Sequence, residues 1–224
     1  MTLPAVLTFV LVSSAILMVA LHFAYASPRT DAIKLYPHKS QRLSAWQLGR
    51  NVLFNMVLTG GLAVGTVLGL RAWMIDETVV AWTTSAGEGL AVLVLYDFLY
   101  YGMHRFLFHE WKLMRAVHVV HHTNKFPTSF ESLYGHPLEN FLGVALLMSC
   151  IAIVGPISLP AFAIVFAAFS WLNLVIHSGL DFRAPGLRAC GFLARKHARH
   201  HASMRAGNYA SISPIPDLVF GTHE

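Results

Sequence analysis

Residues 104–122 read HRFLFHEWKLMRAVHVVHH: five histidines that begin where the apolar run 89–108 comes to its end. On a helix, positions i, i+3 and i+4 share a face, so His118, His121 and His122 are expected to project together. His104 and His109 are five apart, about 140° around a straight helix. A straight helix cannot aim both at one ion. Either the chain bends between them or each serves a different ion. The second pattern returns downstream as His197-Ala-Arg-His200-His201. Between the two copies stand Asn173 and His177, four apart and on one face.

These clusters hold nine histidines and one asparagine. A structural zinc takes four ligands, so the set suits two ions rather than one. Imidazole binds zinc, copper, iron or nickel, and the lack of a carboxylate in any cluster disfavours magnesium and calcium. A ligating histidine usually donates its other ring N–H to a carboxylate or carbonyl. Asp97, Glu131, Glu139, Asp181 and Asp217 are the candidate partners, with His136 a further one. Asp97 is the sharpest, because an acid inside an apolar span is costly unless paired; bonding to a neighbouring helix would explain it equally well. Asn173 reads either as a ligand or as a polar contact between helices. His22, His38 and His223 stand alone and read as interfacial polar groups. Tyr96, Tyr100, Tyr101 and Phe126 fit core packing better than a substrate channel.

Outward from the histidines the chain is made for lipid. Of its 224 residues 55% are hydrophobic, the mean hydropathy is +0.55, and only 12% are charged, against about 25% in ordinary globular chains. Apolar runs cover residues 3–25, 52–75 and 89–108. Two shorter ones, 141–154 and 161–176, flank Gly155, Pro156 and Pro160 as a helical hairpin. Those two fall short of the roughly 20 residues that cross a bilayer, so they extend into their flanks, cross obliquely or only dip in. Gly60, Gly61, Gly65 and Gly69 have the spacing that lets helices approach closely in lipid. The loop 27–50 carries Arg29, Lys34, Lys39, Arg42 and Arg50 and is expected on the cytoplasmic side, as is the basic tail 177–224. The loop with Asp76, Glu77 and Glu88 faces the other way. Five passes from an outside N-terminus then put every histidine cluster on one face. The expected fold is an all-α polytopic membrane protein with four to five transmembrane or membrane-embedded helices under a cytosolic, histidine-rich helical cap. Residues 1–88 supply the N-terminal helices and loop, and residues 89–224 the catalytic region.

Several function classes drop out. The net charge of +5 sits in short loops between apolar spans, where it sets topology, so nucleic acid is not an expected partner. Cys150 and Cys190 form no CxxC, and Cys150 reads as a small buried hydrophobe. Ala24-Tyr25-Ala26 looks like a signal-peptidase site. No Lys or Arg precedes the run, however, and it exceeds the roughly 7–15 residues of a secretory h-region, so a retained helix is expected. A heme protein would place its histidines on facing helices inside the bilayer, and a metal transporter near the midplane. Here they stand at span ends.

The order of these clusters resembles the fatty acid hydroxylase superfamily, also called the sterol desaturase family. The resemblance covers about residues 95–222. The family pattern HX3–4H, HX2HH, (H/N)X3H, HX2HH is similar to His104/His109, His118/His121/His122, Asn173/His177 and His197/His200/His201 in turn. His136-Pro-Leu-Glu139 resembles its HPxE element, and Asp217-Leu-Val-Phe-Gly-Thr222 its D-x-x-FGT element. No heme-binding HPGG is present, so the fused cytochrome b5 domain of some members is missing from this sequence. The resemblance implies that the ten cluster residues hold two iron ions, which zinc can replace on purification. It implies O2 as co-substrate, a membrane lipid as substrate (fatty acyl, sterol-like or related), and an external donor of cytochrome b5 or ferredoxin type with its reductase. Hydroxylation is the leading reaction. A sterol-type desaturase or methyl oxidase shares the same clusters.

Overall fold

The computed structural model describes residues 2–36 and 43–224. His38, Lys39 and Arg42 lie outside the described residues. Apolar runs become helices where a cap or a proline can start them. Helix α1 (Leu3–Ala26) has a proline in its first turn and stops before Pro28, which cannot continue it. Helix α2 (Ala45–Gly69) starts from a capping box: Ser44 Oγ accepts from Gln47 N (3.2 Å) and Gln47 Oε1 accepts from Ser44 N (3.1 Å). A single turn, α3 (Arg71–Met74), leads to α4 (Trp82–Gly102). Helix α5 (Lys112–His118) belongs to the cap. Helix α6 (Pro137–Val154) is capped by His136, and α7 (Leu159–Ile176) by Ser158; each has a proline in its first turn. Helices α8 (Arg188–Ala202) and α9 (Ile215–Val219) complete the order.

Four of these, α1, α2, α6 and α7, are long and apolar enough to cross a membrane. The chain is an all-α, multi-pass membrane protein. The two short apolar runs do extend into their flanks: α6 and α7 have 18 residues each, about 27 Å at 1.5 Å per residue, close to a hydrocarbon core of about 30 Å. Helix α4, which carries Glu88 and Asp97, is not among those four. It packs against both α6 and α7, burying Ser85 and Asp97.

These helices share two ends. At the end away from the histidines, strand β1 (Ile75–Asp76) pairs in parallel with β2 (Ile157–Ser158). Glu88 Oε2 accepts from Ser158 N (2.8 Å), and Ser158 Oγ donates to Ser85 Oγ (2.9 Å). At the other end the cap folds over α1 and α2. Ser129 Oγ donates to the Met18 carbonyl (2.8 Å), and Asn55 Nδ2 donates to the carbonyls of Leu133 (3.0 Å) and Gly135 (3.1 Å). In lipid, where burying apolar surface between helices gains little, such polar contacts and van der Waals packing hold the elements together. His22 packs edge-on to Phe130 and His223 stacks on Phe192. Cys150 is fully buried.

The glycines of α2 correct the sequence reading. A Cβ built on Gly60, Gly61, Gly65 or Gly69 meets nothing within 4 Å. Among the described residues they make no close helix contact, and Gly60 faces a cavity instead. One tight approach lies in the cap, at Gly191 of α8. A Cβ there would lie 2.5 Å from the Phe182 carbonyl oxygen and 2.9 Å from Asp181 Oδ1. Gly191→Ala is therefore expected to lower the melting temperature of the detergent-solubilised protein, through overpacking worth about 1–3 kcal/mol. An unchanged melting curve would show that α8 can slide away from residues 181–182.

Candidate metal centre

Local backbone choices bring the clusters together. Beyond Gly102 the α4 helix continues as a π-helix, Met103–Glu110. Widening each turn to an i→i+5 pattern moves residues five apart toward one face. His104 and His109 thereby enter the same group, so neither the bend nor the division between two ions is needed. His118 ends α5, and after a tight turn His121–Thr123 forms a 3-10 turn.

Two groups of histidines result, the ligand nitrogens of each lying within 4.8 Å of one another. One is His104, His109, His118, His122 and His200; the other is His121, His177, His197 and His201. Each HxxHH cluster is thus split between the groups rather than pointing one way. On α8 the reason is angular. His200 and His201 are neighbours, so they diverge by about 100° and reach opposite sides of His197. All nine are buried or nearly so.

The ring nitrogens have fixed roles. Nδ1–H donates to a backbone carbonyl in His104 (Tyr209, 2.7 Å), His109 (Met204, 3.0 Å), His121 (Tyr134, 2.9 Å), His177 (Asn173, 2.7 Å) and His200 (Gly207, 2.8 Å). In these rings Nε2 is left as a bare lone pair. Burial pushes the imidazoles toward the neutral form: His109 falls to about 4 and His118 to about 3.

These lone pairs face each other. His121 Nε2 and His177 Nε2 lie 3.1 Å apart, and both rings give their proton to a carbonyl on the other side. No hydrogen bond can join them, and the contact is repulsive unless a cation sits between. The Nε2 of His109 is buried with no partner at all. The Nε2–Nε2 spacings are 3.1 Å for His104–His118, His122–His200, His121–His177 and His197–His201, and 2.8 Å for His177–His197. Two nitrogens about 2.1 Å from one ion stand about 3.0 Å apart at a right angle and about 3.4 Å apart at the tetrahedral angle. The residues fit two cations.

The candidate carboxylates take different places. Glu139 Oε1 lies 2.9 Å from His118 Nδ1, close but not aligned as a hydrogen bond. Asp97 accepts from the backbone N–H groups of Ser211 (3.2 Å), Ile212 (2.9 Å) and Ser213 (3.0 Å), and from Ser213 Oγ (2.6 Å). Asp217 accepts from Tyr209 N (2.7 Å), Ala210 N (3.0 Å), Thr222 Oγ1 (2.8 Å) and Lys196 Nζ (2.7 Å). These two acids therefore position the strand of chain whose Tyr209 carbonyl holds His104. Asp181 pairs with Arg183 (3.0 Å) and with Arg195. Glu131 accepts from Asn124 Nδ2 (2.9 Å) and Thr128 N (2.7 Å), and His136 accepts from Leu138 N (3.2 Å).

The rest of the Asp217–Thr222 element completes this knot. Phe220 stacks on Tyr101 with centroids 4.9 Å apart, Gly221 takes φ +67°, and the Thr222 carbonyl accepts from Asn208 N (2.9 Å). Sequence reasoning missed Lys196, a buried cation without a recognisable pattern. It also missed the carbonyl partners, which no side chain can advertise.

A cavity of about 200 Å³ runs from the histidines into the helices, with Met18, Gly60, Tyr100, Gly143 and Phe169 each contributed by a different helix. Tyr96 also lines it, so both tyrosines serve the cavity as well as the packing that was expected of them. Tyr101 lies instead against Phe220, and Phe126 against Tyr36. Asn173 is on the cavity wall.

The fatty acid hydroxylase family model matches residues 89–222. The chain belongs to the fatty acid hydroxylase family. Within this family it is similar to methylsterol monooxygenase 1 of Rattus norvegicus, with 29% identity over 79% of this chain and 61% of that protein. It is similar to very-long-chain aldehyde decarbonylase GL1-11 of Oryza sativa subsp. indica, with 33% identity over 63% of this chain and 54% of that protein. Methylsterol monooxygenase 2-2 of Arabidopsis thaliana is 32% identical over 63% of this chain and 54% of that protein. The chain thus spans between half and two thirds of the length of these relatives. No solved structure matches.

Proposed function

We propose that this fatty acid hydroxylase family member is an O2-dependent lipid hydroxylase whose two histidine groups each hold an iron ion. The observation that carries this reading is the pair of buried groups of facing Nε2 lone pairs at one end of an apolar cavity. In it His104, His109, His118, His122 and His200 serve one ion, and His121, His177, His197 and His201 the other, with Asn173 beside the second group. Two irons bound there would supply the redox chemistry that activates O2 for attack on a C–H bond.

The chain's own part is positional. Carbonyl-held Nδ1–H groups lock the rings of His104, His109, His121, His177 and His200, so their Nε2 atoms need no reorganisation to bind. Apolar walls admit a lipid and keep bulk water from the reacting carbon. The histidine end faces the cytoplasm in this reading, by the basic loop and tail, and an external cytochrome b5 or ferredoxin type donor delivers electrons there. A methyl oxidase reading of the same site is favoured by the similarity to the two methylsterol monooxygenases.

The test is direct. Protein purified without added zinc is expected to carry two metal ions per chain. Cells expressing it are expected to accumulate a lipid heavier by one oxygen atom. A loss of two hydrogens would assign desaturation, and active protein free of metal would sink the proposal.

A further inference from the structure

Five helices stand in a horseshoe around the cavity. Helix α1 packs on α7, α7 on α4, α4 on α6 and α6 on α2. The series does not close, because α1 and α2 barely touch. Both nevertheless line the cavity, α1 with Leu11 and Ala15 and α2 with Met56 and Gly60. Each pair is four residues apart and shares a helix face. Exposure locates the opening. Of all the residues that line the cavity, only Leu11, Ala15 and Met56 are exposed, and all three stand on these two helices. The rest of the lining, from Tyr100 and Phe169 to the histidines, is buried or half-buried. The opening also has a roof. The Ser129–Leu133 turn packs on both α1 and α2. Ser129 Oγ ties it to α1 at the Met18 carbonyl, and Asn55 Nδ2 ties it to α2 at the Leu133 carbonyl. Along α1, Ala15 and Leu11 lie about 4.5 Å and about 10 Å from Met18, at 1.5 Å per residue. The opening therefore begins under the cap and runs toward the middle of two helices long and apolar enough to cross a membrane.

What surrounds an opening set between two such helices is lipid, not water. Three physical points suit it to traffic. In lipid no hydrophobic force drives α1 and α2 together. Small residues keep the passage wide: Ala15 stands on one side, and on the other a Cβ built on Gly60 meets nothing within 4 Å. A lipid that left the bilayer to enter through the cap would expose its apolar body to water at a cost of about 0.8 kcal/mol per CH2. One that moves sideways between α1 and α2 keeps apolar surroundings throughout. We propose that the cavity loads sideways from the bilayer, between α1 and α2 and beneath the Ser129–Leu133 turn, and that its occupant is the apolar body of a bilayer lipid. The proposal rests on the lipid-oxidising reading above and adds the route to it. Leu11, Ala15, Met56 and Gly60 form the mouth, and Tyr100 and Phe169 form the interior wall between the mouth and the histidines.

The test is a reversible staple across the mouth. Ala15→Cys and Met56→Cys are introduced into the full chain together with Cys190→Ser; Cys150 is fully buried and stays. In phosphatidylcholine nanodiscs the two thiols are bridged by a bis-methanethiosulfonate, and the bridge is verified by intact mass. The probes are a diazirine sterol and the methyl ester of a diazirine fatty acid, photolysed in the bilayer, with adducts mapped to residues by mass spectrometry. In the open chain at least one probe is expected to mark Tyr100 or Phe169, and the skeleton that does so names the source. With the staple closed before the probe is added, these interior adducts are expected to be lost. Adducts on Leu90, exposed on α4, should persist, and dithiothreitol should restore the interior ones. With the staple closed after loading, the probe is expected to remain through transfer to probe-free nanodiscs, which a staple that merely fills the cavity would not allow. Interior adducts that form equally behind the closed staple, or that neither probe forms in the unmodified chain, would overturn the route. If the first pair does not fold, Leu11→Cys with Met56→Cys staples the same mouth. An open chain that fills but makes no product sinks the oxidising reading alone, and a stapled chain that turns over like the open one sinks the route alone.

Discussion

His177→Ala is expected to reduce turnover at least about a thousandfold, about 4 kcal/mol of lost barrier lowering, and to lower the metal content from two ions per chain toward one. His177 Nε2 is the hinge of the four-histidine group, 3.1 Å from His121 Nε2 and 2.8 Å from His197 Nε2. Removing it leaves three imidazoles. His200→Ala takes one ligand from a group of five and leaves four. That variant is expected to retain more of its metal than His177→Ala while also losing turnover, because the proposed reaction uses both ions. His223, stacked on Phe192 outside both groups, is the control: His223→Ala should keep metal and activity. Metal analysis beside product formation reads all three. Full metal content and turnover in His177→Ala would overturn the assignment of the second group.

Asp217→Ala is expected to be the most destabilising single change in the cap. The Lys196–Asp217 pair is almost fully buried, with side chains 3% and 0% exposed. Burial pushes the Lys196 amine down while Asp217 holds it up. Removing one partner of a buried pair costs about 3–5 kcal/mol, because the other charge is left uncompensated. Here the loss also frees Tyr209 N and Ala210 N, loosening the chain whose Tyr209 carbonyl orients His104. Reduced thermal stability and reduced metal retention should therefore appear together. The double variant Lys196→Met with Asp217→Leu is expected to recover part of the stability, since replacing both charges avoids the unpaired ion. A double variant no better than Asp217→Ala would show that the backbone bonds of Asp217, not the ion pair, carry its role.

Much of this architecture was legible in the residues. Helices α1, α2, α6 and α7 follow from unbroken apolar runs, because in lipid the backbone must satisfy its own hydrogen bonds. The HxxHH spacing announced a multi-metal site, since chance seldom clusters so many imidazoles beside spans. Three things resisted. The i, i+3, i+4 rule put each HxxHH triplet on one face, yet a turn after His118 and the divergence of His200 from His201 split both triplets. The five-residue gap between His104 and His109 looked awkward until the helix widened. The acids were the natural partners for ring N–H groups, but carbonyls took most of those places.

The sequence by itself determined that this chain lives in a membrane, that its helices end in histidines on one side, and that those histidines suffice for two cations. Only the tertiary structure decided which histidine joins which group. The structure also showed that the Asp217–Thr222 element ties down the chain whose Tyr209 carbonyl holds His104. The reason is physical. Apolar runs and residue spacing are local and survive in one dimension. The division of ligands depends on turns of one or two residues, and the ring partners are backbone carbonyls, which every residue has and no residue name reveals.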